Sequence, residues 1–177
     1  MWAVTATPTI SGYREFLITC HMTSVLITFA LAYLGYVLLC VDVVLHASRR
    51  PLRLLTLAML LVVVVHVGMV WGLRFGWSLE MALSKGWTGF IAFHVALVIL
   101  IAASISAEPW SGRLLLIAFP IITLGAIVAS FKYDFVAIYR WPLVIAALAT
   151  TIIALSLSAW QSGRRRDKQL APDSAEG

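Results

Sequence analysis

The chain has 177 residues, of which 62% are hydrophobic and only 12% charged, with a formal net charge of +5. A soluble domain is about 25% charged, so this composition excludes a soluble globular protein, and the apolar content excludes intrinsic disorder. Two cysteines are too few for a disulfide scaffold. The basic residues lie scattered at the ends of apolar segments, unlike the clustered patch of a nucleic-acid binder. The composition therefore predicts an all-α polytopic membrane protein.

Five segments are long and apolar enough to cross a bilayer, which takes about 20 residues as a helix. They predict a five-helix transmembrane domain over residues 17–160, with spans at about 17–46, 54–73, 88–106, 114–131 and 143–160. Pro120 lies inside the fourth segment, and whether this segment crosses fully stays open, although transmembrane helices tolerate proline. Residues 1–16 are predicted to form a short extracytoplasmic segment, and residues 161–177 a disordered, polar cytoplasmic tail.

The distribution of Lys and Arg predicts the orientation of these spans. With five crossings, one side of the membrane collects eight basic residues, which are Arg49, Arg50, Arg53, Arg113, Arg164, Arg165, Arg166 and Lys168. The other side collects five, which are Arg14, Arg74, Lys85, Lys132 and Arg140. Because cytoplasmic loops are enriched in basic residues, we expect the N-terminus outside and the C-terminus in the cytoplasm of a cell (inner) membrane.

Titratable groups inside a bilayer are costly, so the intramembrane histidines are the first candidates for a function. His66 on the second span and His94 on the third lie at nearly equal depth, each about 4 Å to the outer side of the midplane at 1.5 Å per residue. Facing imidazoles at one level of a bundle can ligate a haem iron. Arg74, two turns outward of His66, is then the predicted propionate partner, and His21 near the outer end of the first span is a further contact of the same site.

The placement of His66 and His94 is similar to that in small b-type membrane cytochromes, whose helices present histidines to haem within the bilayer. The resemblance implies one haem b and transfer of electrons between a quinone and a partner redox or membrane subunit. The four histidines of the chain do not form the two pairs that a two-haem arrangement needs. The leading hypothesis is therefore a one-haem electron-transfer subunit.

A second pair of titratable residues supports a different class of function. Asp42 and His46 are four residues apart, so they share one face of the first span near its cytoplasmic end. A carboxylate beside an imidazole can relay protons or hold an ion. The alternatives to the haem hypothesis are therefore a cofactor-free small transporter or proton- or ion-handling subunit, and a structural subunit of a membrane complex.

Sequence motifs narrow the possibilities only a little further. The chain carries no hydrolase, phosphoryl-transfer or zinc-peptidase motif, so whether it is an enzyme stays open beyond a redox role. Gly68, Gly72 and Gly76 recur every four residues on the second span, a pattern typical of close packing between membrane helices.

Overall fold

The computed structural model describes the backbone of residues 10–84 and 86–170, and the side chains of residues 23–84, 86–134 and 136–164. The described chain is mostly helical and contains no strand. Its elements are α1 (Ile10–Ala47), α2 (Arg53–Phe75), α3 (Leu79–Leu83), α4 (Trp87–Ile105), α5 (Trp110–Lys132), a 3-10 helix (Asp134–Tyr139) and α6 (Arg140–Leu170). Five of these helices, all except α3 and the 3-10 helix, carry segments long and apolar enough to cross a membrane. The prediction of an all-α, five-helix membrane bundle is confirmed.

The helices extend beyond the apolar segments at both ends of the chain. α1 begins at Ile10, inside the segment predicted to precede the bundle. α6 continues to Leu170, whereas the sequence predicts a disordered tail from residue 161. Hydropathy marks where a helix leaves the apolar phase, and polar residues such as those after Trp160 are compatible with helix in water. The boundary at residue 161 is therefore a change of environment and not the end of a helix.

The outside of the bundle is apolar. Large hydrophobic side chains point away from the core on every long helix, with exposed fractions such as 81% for Leu54 and 75% for Ile105. Trp87 and Trp110 begin α4 and α5, and both are more than half exposed. Indole rings at helix ends are typical of the membrane–water interface, so this surface is suited to contact lipid.

Two antiparallel helix pairs, α1 with α2 and α4 with α5, form most of the bundle. α1 connects these pairs because it also contacts α5, and it contacts α6 as well. Gly35 allows the approach of α1 to α2, because a Cβ there would lie 3.2 Å from Cγ2 of Val63. α2 and α4 contact each other much less extensively, so the bundle is open between these two helices.

The glycines of α2 do not form the packing ridge that their spacing predicts. A Cβ on Gly68 would meet nothing within 4 Å, and one on Gly72 would meet the indole of Trp77 at 3.4 Å. Gly76 lies beyond the helix and caps it with a positive φ of 52°, a conformation that glycine adopts without strain. Within the described part of the chain, these glycines therefore bring no second helix close to α2.

The two ends of the bundle differ in charge. We call the end formed by residues 48–52, residues 106–109 and the C-terminal part of α6 the basic end; its described basic residues include Arg49, Arg50, Arg53, Arg113 and Arg164. There Gln161 ties α6 to α1, because its Nε2 donates to the Ala47 carbonyl at 2.8 Å and its Oε1 accepts from Arg49 Nε at 2.8 Å. The opposite end carries Arg74, Lys132 and Arg140.

Four fully buried apolar side chains form a layer across the core of the bundle. Leu39, Met59, Leu100 and Leu115 are each at most 1% exposed, and we call them the apolar layer. They lie five to eight residues from the basic ends of their helices, a depth of about 8–12 Å. The apolar layer thus separates the part of the bundle near the basic end from the part near the opposite end.

Candidate functional site

A carboxylate lies inside the bundle near the basic end. Asp42, on the membrane-spanning segment Thr23–Ala47, is 0% exposed. Neither of its carboxylate oxygens accepts a hydrogen bond from any residue that the structure describes. A buried charge without hydrogen bonds is strongly unfavourable, so this side chain requires a compensating charge or a proton.

The compensating group is the imidazole of His46, one helical turn toward the basic end. Its Nδ1 donates to the carbonyl oxygen of Asp42 at 2.9 Å and lies 3.2 Å from Oδ1 of the Asp42 side chain. Its Nε2 lies 2.8 Å from Oε1 of Glu108. The imidazole therefore stands between two carboxylates, one on each ring nitrogen.

Glu108 connects this pair to the aqueous phase. It belongs to the connection between α4 and α5 at the basic end, and its side chain is 48% exposed, compared with 6% for His46 and 0% for Asp42. The three groups form a line from the surface to the interior, which we call the carboxylate–histidine chain.

The imidazole of His46 packs against a glycine of α5. A Cβ on Gly112, in the first turn of α5, would lie 3.1 Å from Cδ2 of His46. The imidazole thus packs directly against the backbone of α5, which fixes its plane between Asp42 and Glu108. Any side chain at position 112 would displace the ring or the helix.

A cavity of about 270 Å³ borders the carboxylate–histidine chain. Its walls are mostly apolar but include the buried hydroxyl side chains of Thr56, Ser104 and Ser111. The other lining residues are His46, Pro51, Arg53, Ala103, Ser106, Ala107 and Glu108. Such a cavity has the polar partners that water needs inside a protein.

The arrangement suits proton exchange better than metal binding. Asp42 and Glu108 lie on opposite ring nitrogens of His46, so their oxygens do not converge on one point. Among the described residues, no group of three or more His, Cys, Asp or Glu side chains is placed to hold a metal ion. A histidine bridging two carboxylates can accept a proton on one nitrogen and release one from the other.

His66 lies in the other half of the bundle and lines another cavity. Its Nδ1 donates to the carbonyl oxygen of Thr28 on α1 at 2.8 Å. The cavity that it lines has a volume of about 340 Å³ and extends among α1, α2, α4 and α5. Apart from His66 and a few hydroxyls, the lining is apolar.

His94 has different surroundings. Its Nδ1 donates to the carbonyl oxygen of Phe90 at 2.7 Å, and its ring packs against Trp71, Phe90 and Phe93 with centroid distances of 6.1, 4.0 and 5.5 Å. His94 is not among the residues that line the cavity of His66. The prediction that His66 and His94 share a haem stays a prediction, since the two imidazoles have different hydrogen-bond partners but Phe93 packs on His94 and also lines the cavity of His66.

Arg74 and His21 are the remaining residues predicted to belong to the haem site. Arg74 donates to the Tyr133 hydroxyl at 3.4 Å and lies over the Tyr133 ring at 5.1 Å, so it acts as an interfacial contact between α2 and the end of α5. His21 lies outside the described side chains.

Sequence analysis missed Glu108 and Gly112. Glu108 could have been found from the topology, because the connections after the first and third spans must lie on the same side, and Glu108 is the acidic residue of the second of these connections. No sequence signal identified Gly112, since its importance comes from the rotation of α5 against α1.

Neither protein-family models, nor curated proteins, nor solved structures gave a match to this chain.

Proposed function

We propose that the chain is a multi-pass membrane protein that takes up and releases a proton at Asp42, as the proton-handling part of a transport process. The observation that supports this most directly is the Asp42 carboxylate, fully buried, without hydrogen bonds from described residues, and linked through His46 to the exposed Glu108. Intramembrane carboxylate–histidine pairs are typical of proton relays.

The proton moves in two balanced steps. Glu108, protonated from water, gives its proton to Nε2 of His46 and becomes a carboxylate, while the imidazole becomes an imidazolium. The imidazolium then gives its Nδ1 proton to Oδ1 of Asp42, 3.2 Å away, which leaves Asp42 neutral and His46 neutral.

The site opens to one side only. Beyond Asp42 the apolar layer of Leu39, Met59, Leu100 and Leu115 closes the bundle. With the basic end in the cytoplasm, as the excess of Lys and Arg predicts, Asp42 exchanges its proton with the cytoplasm. Release toward the other side requires a movement of the helices, which is the behaviour of a carrier and not of a channel.

Reconstituted protein tests this proposal. The full chain is incorporated into liposomes that contain a pH-sensitive dye, and proton uptake is driven by a potassium diffusion potential. We expect uptake faster than in empty liposomes, loss of the difference in Asp42→Asn, and a several-fold decrease in Glu108→Gln. Glu80→Gln, an exposed carboxylate on α3, is the matched control and should behave as wild type. Equal rates in wild type, Asp42→Asn and empty liposomes would contradict the proposal.

The haem hypothesis stays a second candidate on one specific observation. His66 and His94 both donate Nδ1 to a backbone carbonyl, the arrangement that leaves Nε2 of a neutral imidazole as an iron ligand. Haem b would supply one-electron chemistry, with a quinone and a redox subunit as partners, and with Arg74 and His21 near its propionates.

A reduced-minus-oxidised visible spectrum of the purified chain separates the two candidates. A b-type band that disappears in both His66→Ala and His94→Ala would support haem ligation. A colourless, folded protein in which His94→Phe keeps wild-type stability would contradict it, because the aromatic neighbours of His94 accept a ring that cannot ligate iron.

A further inference from the structure

We propose that the cavity lined by His66 binds a neutral, single-chain lipid whose head group carries a hydroxyl. We call it the apolar cavity, and it lies on the far side of the apolar layer from Asp42, with Leu39, Met59 and Leu100 in its lining. The proposal is independent of the proton-handling function, since the two sites share no titratable residue.

The size of the apolar cavity suits a single chain. Its lining on α4 runs from Gly89 to Leu100, which are eleven residue steps or about 16 Å apart at 1.5 Å per step. Its volume of about 340 Å³ is at the lower end of the range for ligand sites, roughly 300–1,000 Å³. A long and narrow space of this volume accommodates one extended apolar chain, whereas a phospholipid would need room for two chains.

The composition of the lining also disfavours a ligand with a charged head group. Among the residues that the structure describes, the lining contains no Lys, Arg, Asp or Glu side chain. An ionised head group would therefore be desolvated without a partner, which is unfavourable. The polar groups that the lining does offer are Tyr33, Tyr36, His66, Ser130 and Tyr139. A neutral head group is the one that these residues can accommodate.

His66 determines which neutral head group fits best. Its Nδ1 carries the proton, because the Thr28 carbonyl at 2.8 Å can only accept. In a neutral imidazole the other nitrogen, Nε2, is then an acceptor, and no residue that the structure describes donates to it. The Tyr36 hydroxyl is already paired with Thr123 Oγ1 at 3.1 Å. Nε2 of His66 therefore favours a ligand that donates a hydrogen bond to it, as a hydroxyl group does.

A ligand from the bilayer can reach the apolar cavity from the side. Several lining residues on α4 and α5 are exposed, namely Gly89, Ala92, Phe93 and Gly125. A Cβ on either Gly89 or Gly125 would meet nothing within 4 Å. Together with the limited contact between α2 and α4, these exposed residues place the opening on the lipid-facing side of the bundle.

Photolabelling of the full chain in lipid nanodiscs tests the proposal. The probe is a hexadecanol analogue with a diazirine in its chain, and labelled peptides are identified by mass spectrometry. We expect labelling concentrated on the cavity-lining parts of α4 and α5. Gly125→Leu should fill the cavity and decrease this labelling at least tenfold. Gly68→Leu is the matched control, because Gly68 also has open space around its Cβ position but lies outside the cavity.

The head-group preference has its own test. The methyl ether of the same probe lacks the donor, so it should label the cavity several-fold less than the alcohol does. His66→Leu should remove this difference while it leaves labelling by the ether unchanged. Competition with an unlabelled isoprenoid quinol or an unlabelled long-chain alcohol then identifies which source of the hydroxyl binds more tightly.

Three results would overturn the proposal. Labelling spread evenly over the lipid-facing helices and unchanged in Gly125→Leu would show that the cavity takes up no lipid chain. Equal labelling by the alcohol and the ether in wild type would show that the head group is not recognised. If the cavity of the His66→Leu variant is still labelled more strongly by the alcohol than by the ether, another residue recognises the hydroxyl.

Discussion

Removing Asp42 and removing His46 have different consequences for stability, because the two residues have different partners. After Asp42→Leu, His46 keeps its 2.8 Å contact with Glu108. After His46→Leu, the buried Asp42 has no partner among the described residues. Breaking a buried charge pair by removing one partner costs about 3–5 kcal/mol, whereas replacing both partners by apolar side chains is often neutral or stabilising.

We therefore expect His46→Leu to destabilise the protein by about 3–5 kcal/mol, and Asp42→Leu to destabilise it less, because His46 keeps its contact with Glu108. Thermal unfolding followed by tryptophan fluorescence in detergent measures both variants. The double variant should regain most of the stability that His46→Leu loses, since it no longer buries a carboxylate. Equal destabilisation by the two single variants would argue against this description of the pair.

A second prediction at the scale of single residues compares substitutions at Gly112 and Gly125. Gly112→Ala places a methyl group 3.1 Å from Cδ2 of His46, and such overpacking costs about 1–3 kcal/mol. It should also slow proton uptake, because the imidazole moves relative to Glu108. Gly125→Ala is the control, since its Cβ meets nothing within 4 Å, and better helix propensity should make it neutral or stabilising. Similar unfolding curves and uptake rates for the two variants would contradict the role given to Gly112.

Residue spacing identified Asp42 and His46 as neighbours because they lie on one helix, where the i,i+4 relation is fixed by geometry. The same reasoning could not assign His66 and His94 to one site. Equal depth along two helices says nothing about rotation, and His94 is turned toward Trp71 and Phe90 instead of the cavity that His66 lines. Contacts between helices, such as those of Glu108 and Gly112 with His46, depend on packing that the sequence alone does not give.

At the scale of helices, hydropathy was sufficient to find the five spans and was not sufficient to find their ends. A membrane-crossing helix must satisfy its own backbone, so each long apolar segment becomes a helix regardless of its neighbours. The extension of α6 to Leu170 has no apolar signal. Its attachment to α1 at the basic end depends on a side chain, Gln161, that bonds both Arg49 and the Ala47 carbonyl.

Gln161→Ala should therefore loosen the end of α6 more than it affects the bundle. It removes two hydrogen bonds, each worth about 0.5–1.5 kcal/mol, and we expect faster amide hydrogen exchange in the last two turns of α6. Exchange in α4 and α5 should not change. The control is Ser162→Ala, whose hydroxyl bonds only within its own helix. Unchanged exchange in Gln161→Ala would show that the attachment does not hold the helix.

At the scale of the whole molecule, two cavities of different character lie on either side of the apolar layer. The one at the basic end has charged and hydroxyl side chains in its lining and adjoins Asp42 through His46, whereas the one toward the opposite end has no charged lining residue among those described and contains His66. Leu39 and Met59 separate them and are at most 1% exposed. This arrangement holds the proton at Asp42 on one side of the membrane as long as the apolar layer stays closed.

Leu39→Ser should open that separation. A small polar side chain in the apolar layer admits water between the two cavities, so we expect a proton leak in liposomes that is driven by a pH gradient alone and is faster than in wild type. The double variant Leu39→Ser/Asp42→Asn should not leak, because the relay then lacks its inner carboxylate. A leak of equal size in the double variant would mean that protons bypass Asp42.

The most direct measurement of the central claim is the protonation of Asp42 itself. Infrared difference spectra between low and high pH, recorded on the full chain in lipid nanodiscs, detect the carbonyl stretch of a protonated buried carboxyl. We predict a band that disappears as the pH rises, that is missing in Asp42→Asn, and that Glu80→Gln retains. A spectrum that is the same in wild type and Asp42→Asn would show that Asp42 exchanges no proton, and would contradict the proposed function.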